Sequence, residues 1–250
     1  MPECRLFSEL NREQVKASAE HSLALVPLGA TEQHGPHLAT GMDLFAVEAL
    51  ARAAAERASA RIPVVVTPAL PFGSSDHHFV FGATLSLSTE TYYRVLRELV
   101  ASLATGGFTR IFLLNGHGGN HEIMQLAARD VALAHAVRVG AGSYWRIAWD
   151  ALVAAGAHRG RRLPGHAGDF ETSLLMALRP ELVAGNRPSR SDPGDTDPRP
   201  SPYRHERHGF WRDIDGYTDN PAQATREKGE QFWNVLVTAV AGALLAFYES

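Results

Sequence analysis

The chain has 250 residues, 45% of them hydrophobic and 20% charged, with a formal net charge of -3. A chain of this size can bury one large core as a single domain, and a near-neutral balance without long lysine or arginine runs gives no ground for electrostatic capture of nucleic acid. Cys4 is the single cysteine, which excludes an intrachain disulfide and fits a reducing cytoplasm.

The N-terminal stretch MPECRLFSELNREQ lacks the apolar core of a signal peptide. Leu23 to Leu28 (LALVPL) is a short apolar run ending at Gly29 and predicts a buried strand. From Asp43 to about Arg57 the spacing of Leu44, Val47, Leu50, Ala51 and Ala54, with abundant alanine, predicts a helix. Ile62 to Thr67 is β-branched and bounded by prolines, the signature of a second strand. A loop from Leu70 to about Phe81 leads to a helix near Glu90 to Ala104, stopped at Gly106 and Gly107.

Ile111 to Leu114 reads as a third strand, followed by a helix over about 121–135 and a strand near Val137 to Ser143. A helix over Phe170 to Leu178 ends before Pro180, and a last helix spans about Ala222 to Tyr248. Its longest apolar stretch, Val235 to Phe247, is shorter than the about 20 residues a bilayer needs, and predicts a buried helix rather than a membrane span. The segment from Asn186 to Pro221, with Tyr203, His205, His208 and Trp211, is too long for a simple connector and predicts a pocket-shaping loop or a subunit contact. Strands alternating with helices predict an α/β fold with a mostly parallel sheet covered on both faces. In such sheets ligands gather at the carboxyl ends of the strands.

Three polar clusters fall at such places. The first, Gly29-Ala30-Thr31-Glu32-Gln33-His34-Gly35-Pro36-His37 with Asp43, follows the first predicted strand. Residues two apart in extended backbone face the same side, so Glu32 and His34 can converge. Asp43 can cap the next helix or turn to the same point. Two carboxylates and an imidazole suit zinc, manganese or iron, although each alone has an ordinary structural explanation. The second cluster, Asn115-Gly116-His117-Gly118-Gly119-Asn120, follows the strand IFLL. Its glycines allow close backbone approach and positive φ angles, and its N–H groups can cradle an anion. The third, Gly165-His166-Ala167-Gly168-Asp169-Phe170-Glu171, enters a helix whose dipole alone would favour Glu171. No GxSxG, P-loop, HExxH or GxGxxG pattern is present, which leaves nucleophile and nucleotide alternatives without support.

The stretches PLGATEQHGPHL with Asp43, DHHFVFGATLSL, LNGHGGN, SYW at Ser143 to Trp145, HAGDFETSLLMALRP and ATREKGE run in order over about residues 22–235. Together they resemble the signatures of the creatininase (creatinine amidohydrolase) family. The resemblance implies an α/β/α sandwich, two divalent metals, zinc ahead of manganese or iron, and a homo-oligomer, commonly a hexamer. It assigns Glu32, Asp43 and His117 to one metal, His34 and a bridging Asp43 to the other, and makes His166 the acid/base. Where creatininase itself has a second-metal glutamate after the NGH histidine, this chain has Gly118 and Gly119, and Glu171 becomes the replacement ligand. Arg161-Arg162-Leu163-Pro164 stands where a tryptophan-containing lead would be, which moves the expected substrate away from creatinine. Relatives bearing NGHGGN include a peptidase of a peptide precursor, formamide hydrolases and hydrolases of oxidised cyclitols. On this reading a metal-held hydroxide cleaves a C–N bond of a small molecule or peptide, His166 protonates the leaving nitrogen, and Gly118 or Gly119 N–H groups steady the oxyanion. His78 contacts substrate, His77 is a neighbour without a role, and Trp145 either stacks on a flat ligand or fills the core. A cyclitol C–C hydrolase and a non-catalytic metal-binding oligomer are the competing readings.

Overall fold

The computed structural model describes residues 3–158, 163–190 and 205–250. Five parallel strands form one sheet in the order β1-β3-β2-β4-β5, with β1 Cys4–Leu6, β2 Leu23–Leu28, β3 Val64–Val66, β4 Arg110–Asn115 and β5 Arg138–Ser143. The α/β expectation holds, with one strand added: β1 has three residues, too few to show a period in the sequence. The second predicted strand shrinks to Val64–Val66, because the prolines at 63 and 68 deny the ladder donors at either end.

Alternation along the strands builds two cores. Leu23 and Leu25 of β2 and Phe112 and Leu114 of β4 join the core on one face. Ala24, Val26, Leu28, Ile111 and Leu113 join the core on the other. The first face is covered by α2 (Met42–Ala58), α7 (Asp169–Leu178) and α9 (Arg226–Glu249), the second by α3 (Thr89–Thr105) and α4 (His121–Ala134). Short helices α1 (Arg12–Ser18), α5 (Tyr144–Ile147), α6 (Trp149–Ala154) and α8 (Phe210–Asp213) fill the connections.

The helix ends follow local chemistry. Asn11 and Gln14 form a reciprocal capping box on α1, Ser88 accepts the Thr91 N–H to start α3, and Thr225 accepts the Lys228 N–H to start α9. That last cap moves the start of the C-terminal helix from the expected Ala222 to Arg226, with a separate 3-10 turn over Pro221–Gln223. The apolar stretch Val235 to Phe247, expected to be too short for a bilayer, lies within α9, whose 24 residues are long and apolar enough for one by length and composition. Phe232, Leu236, Val240 and Leu244, four residues apart, are buried, and α9 packs on α2 and α7. The expected loop 70–81 ends in a 3-10 turn, Asp76–Phe81.

After β2 the chain winds outward to β3, then crosses back over β2 to β4. The loops following β2 and β4 therefore diverge and leave a crevice at their carboxyl ends.

Candidate metal centre

That crevice holds a cavity of about 790 Å³, within the range of small-ligand sites. Glu32, Asp43, His78, His117, Gly118, Gly119, Trp145, His166 and Glu171, all expected from the sequence, line it. His34 lies beneath it, fully buried, with its ring 4.3 Å from that of His166.

The turns that present these groups are fixed by side-chain amides. Asn115 accepts the His117 N–H at 3.1 Å and donates to the His117 carbonyl at 2.7 Å, closing the NGH turn. Asn120 accepts the Ser74 N–H at 3.0 Å and donates to the Gly29 carbonyl at 3.1 Å, stitching together three separate loops. The glycines act through space rather than conformation. Neither Gly116, Gly118 nor Gly119 has a positive φ, which corrects that part of the sequence reading. A Cβ on Gly119 would overlap the Ser74 carbonyl, and one on Gly116 would lie 2.7 Å from Val47 Cβ, whereas Gly118 has open space.

Asp43 is the second residue of α2, whose N-cap position is Gly41 and which has no side-chain cap hydrogen bond, so Asp43 does not cap it. Its carboxylate is turned to the site and divides: Oδ1 lies 3.3 Å from His34 Nε2, and Oδ2 lies 3.1 Å from His117 Nδ1. Glu32 Oε1 lies 3.3 Å from His117 Nδ1 and 3.5 Å from both His166 Nδ1 and His78 Nε2. Glu171, in the first turn of α7, brings Oε2 to 3.8 Å from His34 Nε2 while accepting the Ala167 N–H at 2.6 Å.

The outer ring nitrogens determine what the inner ones offer. His117 Nε2 lies 3.1 Å from the Ser74 carbonyl, His34 Nδ1 lies 3.1 Å from the Glu32 carbonyl, and His166 Nε2 lies 2.8 Å from the Gln33 carbonyl. A carbonyl only accepts, so each outer nitrogen carries a proton and, in the neutral ring, each inner nitrogen is a lone pair facing the carboxylates. This is the outer support that metal-bound imidazoles receive.

Burial opposes every charge here, and the neighbours decide the outcome. For Glu32 it is overridden by His117, His78 and His166, which hold the carboxyl well below its ordinary range. Asp43 is likewise lowered, by His34 and His117. Burial would lower His34, yet Asp43, Glu171 and Glu32 raise it to about 10, and Glu32 and Asp43 raise His117 well above its ordinary value. Burial dominates for the others: Glu171 is pushed up to about 8, His78 is held down to about 3, and His166 falls well below the ordinary imidazole range.

Both oxygens of Glu32, Nε2 of His34 and Oδ2 of Asp43 are buried without a hydrogen-bond partner. Four orphaned ligand-type atoms facing one another are costly unless a cation satisfies them. Three overlapping groups bring ligand atoms within 4.8 Å of one another: Glu32, His77 and His117; Glu32, His34 and His166; and His34, Asp43 and Glu171. The donor set fits divalent metal.

A family model described as creatininase (creatinine amidohydrolase) matches residues 8–244. The chain belongs to the creatininase family. It is 30% identical to a creatinine amidohydrolase of Pseudomonas putida over 92% of each chain. It is 35% identical to a mycofactocin precursor peptide peptidase of Mycobacterium ulcerans, in a match covering 65% of this chain and 61% of that protein. A 3-dehydro-scyllo-inosose hydrolase of Thermotoga maritima is 29% identical, with 71% of this chain and 57% of that protein covered. Among solved structures, a mutant creatininase of Zn-Zn type superposes with a TM-score of 0.76 at 28% identity, covering 99% of this chain and 100% of that one. A manganese creatininase gives 0.74 at 28% identity, with the same coverage of each chain. The chain is thus a metal-dependent hydrolase of this family, with a donor set to match.

Within the creatininase frame, three features take a definite place that the sequence alone does not give them. His77, expected to have no role, stacks on His117 with ring centroids 5.9 Å apart and falls in one of the ligand groups. Trp211 of α8 forms the cavity's outer wall, its ring centroid 4.5 Å from His78, 5.2 Å from His166 and 5.5 Å from His77. That realises the pocket-shaping role expected of the segment 186–221. Tyr203, Arg161 and Arg162 lie outside the described residues. Gln33 touches two site histidines at once. An alternating strand would have aimed it away, but the backbone after β2 is irregular. Trp145 is 5% exposed, packs in the core against Tyr144 and also lines the cavity.

Proposed function

We propose that the protein hydrolyses a C–N bond (amide, cyclic amide or formamide) of a small molecule or peptide with two divalent ions, zinc ahead of manganese or iron. The observation that carries this is the split carboxylate of Asp43, one oxygen toward His34 and the other toward His117. Glu32, Asp43 and His117 would hold one ion, and His34, Asp43 and Glu171 the other. Bound there, such ions polarise a carbonyl and lower the pKa of water.

The chain's own groups do the rest. His166 has its outer N–H engaged by the Gln33 carbonyl, which leaves Nδ1 to pass a proton to the leaving nitrogen. Gly118 and Gly119 line the cavity, and their backbone N–H groups would serve a developing oxyanion. His78, Trp145 and Trp211 form walls that suit a flat amide-bearing group. The peptidase name of relatives at 32% and 35% identity supports a peptide among the candidate substrates. Exposed Phe79, Val80 and Leu85, close in sequence to the site's His77 and His78, support assembly as a homo-oligomer, a hexamer by resemblance.

Metal analysis combined with a panel of lactams, formamides and peptide amides tests the proposal. Two ions per chain with turnover of a panel member is the expected result, and His117→Ala removes both ions and turnover together. A protein that holds two ions and cleaves only an oxidised cyclitol would replace this reading with the C–C hydrolase its Thermotoga relative's name suggests.

A further inference from the structure

Gln33 sits between two of the ligand positions and is 6% exposed. Its side-chain oxygen accepts the Gly35 N–H at 2.9 Å. Its amide nitrogen lies 3.0 Å from the Gly216 carbonyl, 2.8 Å from His78 Nδ1 and 3.1 Å from His166 Nε2. The orientation is set by the network: reversed, the amide would aim an oxygen at the Gly216 carbonyl and a donor at the Gly35 N–H.

An amide nitrogen has two protons for these three neighbours. His166 Nε2 already donates to the Gln33 backbone carbonyl at 2.8 Å, so it is a donor and cannot accept from the amide. The two amide protons therefore go to Gly216 and to His78 Nδ1. His78 must then carry its own proton on Nε2, the atom 3.5 Å from Glu32 Oε1.

We propose that Gln33 is a positioning residue: its amide holds His78, and its carbonyl holds His166, each in the Nε2–H tautomer, so that each ring presents a fixed nitrogen to Glu32. The same amide ties in the Gly216 turn, which the Arg190 guanidinium also pins through the Ile214 and Tyr217 carbonyls at 2.9 Å each. That turn follows α8, whose Trp211 packs on both histidines. One glutamine thus fixes the rings and the wall that covers them. The role given to His166 rests on the proposed hydrolysis; the tautomers do not.

The test is nitrogen NMR of the zinc-loaded protein labelled in its histidine rings, which reads each tautomer directly. His78 should show an unprotonated Nδ1 and a protonated Nε2, and His166 a protonated Nε2. In Gln33→Glu, which keeps shape and the Gly35 bond but offers only acceptors, His78 Nδ1 should gain a proton. His166 Nε2 should stay protonated, since its acceptor is main chain, and kcat should fall about 10–100-fold with little change in KM. A native His78 protonated on Nδ1 overturns the proposal, as does a Gln33→Glu protein with two zinc ions and an unchanged His78. If the variant does not fold, the native spectrum decides alone. Absence of amide turnover would count against the proposed function while leaving these spectra to judge Gln33.

Discussion

Glu171 Oε2 stands 3.8 Å from His34 Nε2, on the nitrogen that Asp43 Oδ1 also faces at 3.3 Å. A carboxylate from α7 therefore stands where a second ion would need a ligand. Burial, chiefly, raises this carboxyl to about 8, which favours its neutral form without metal, and glutamine mimics that form. Glu171→Gln should leave the chelator-treated protein's melting temperature almost unchanged. It should reduce bound zinc from two ions to about one and lower turnover by at least about 100-fold. Full zinc occupancy in this variant would remove Glu171 from the ligand set.

The two glycines after His117 should behave differently. Gly118→Ala meets open space and should fold and bind metal normally, while Gly119→Ala must push back the Ser74 carbonyl. The latter should cost about 1–3 kcal/mol in urea unfolding and weaken zinc binding, because the same carbonyl orients His117. Equal behaviour of the pair would contradict the packing argument.

Asn120→Ala leaves the Ser74 N–H and the Gly29 carbonyl without partners in a buried site. Each such loss costs about 1–3 kcal/mol, so chemical denaturation should show a destabilisation of about 2–6 kcal/mol. A change under about 0.5 kcal/mol, the usual effect of a surface substitution, would show that the three loops hold without this stitch.

In the metal-free protein His34 is held up to about 10 and Glu171 to about 8, above their ordinary values of 6.5 and 4.5. Both bind protons more tightly when folded. Their contribution is therefore complete at low pH and is lost as pH rises through about 8 and then about 10. His78 and His37, held down to about 3 and about 4 mainly by burial, act in the opposite sense, but only below about 6.5. Chelator-treated protein should therefore lose thermal stability from about pH 6.5 to 10. Metal uptake displaces the same protons, so apparent affinity should rise across that window, with proton release visible by calorimetry in buffers of different ionisation enthalpy. A pH-independent affinity would refute this account.

Much of the frame is written locally in the sequence. LALVPL matches β2 residue for residue because a strand buried on both faces is a continuous apolar run bounded by a turn residue. The alanine-rich helix α2 falls within a residue of its expected bounds. The candidate ligands are legible because glycines and acids crowd the ends of β2 and β4. What stayed hidden depends on distance in the chain. Trp211 meets His166 only through the folded path of residues 205–217, and no period marks that segment. Gln33 was masked by assuming an alternating strand where the backbone turns. β1 and α5 are too short for any repeat to appear.

Each of the three inward-facing histidines is steered by a main-chain carbonyl: that of Ser74, Glu32 or Gln33. Exchanging a side chain at those supporting positions leaves that acceptor in place so long as the backbone keeps its course. The walls, by contrast, are side chains: Trp145, His78 and Trp211. Replacing the two tryptophans can redirect the enzyme toward a new substrate while those three carbonyls stay in place, which makes this pocket a natural starting point for engineering altered selectivity.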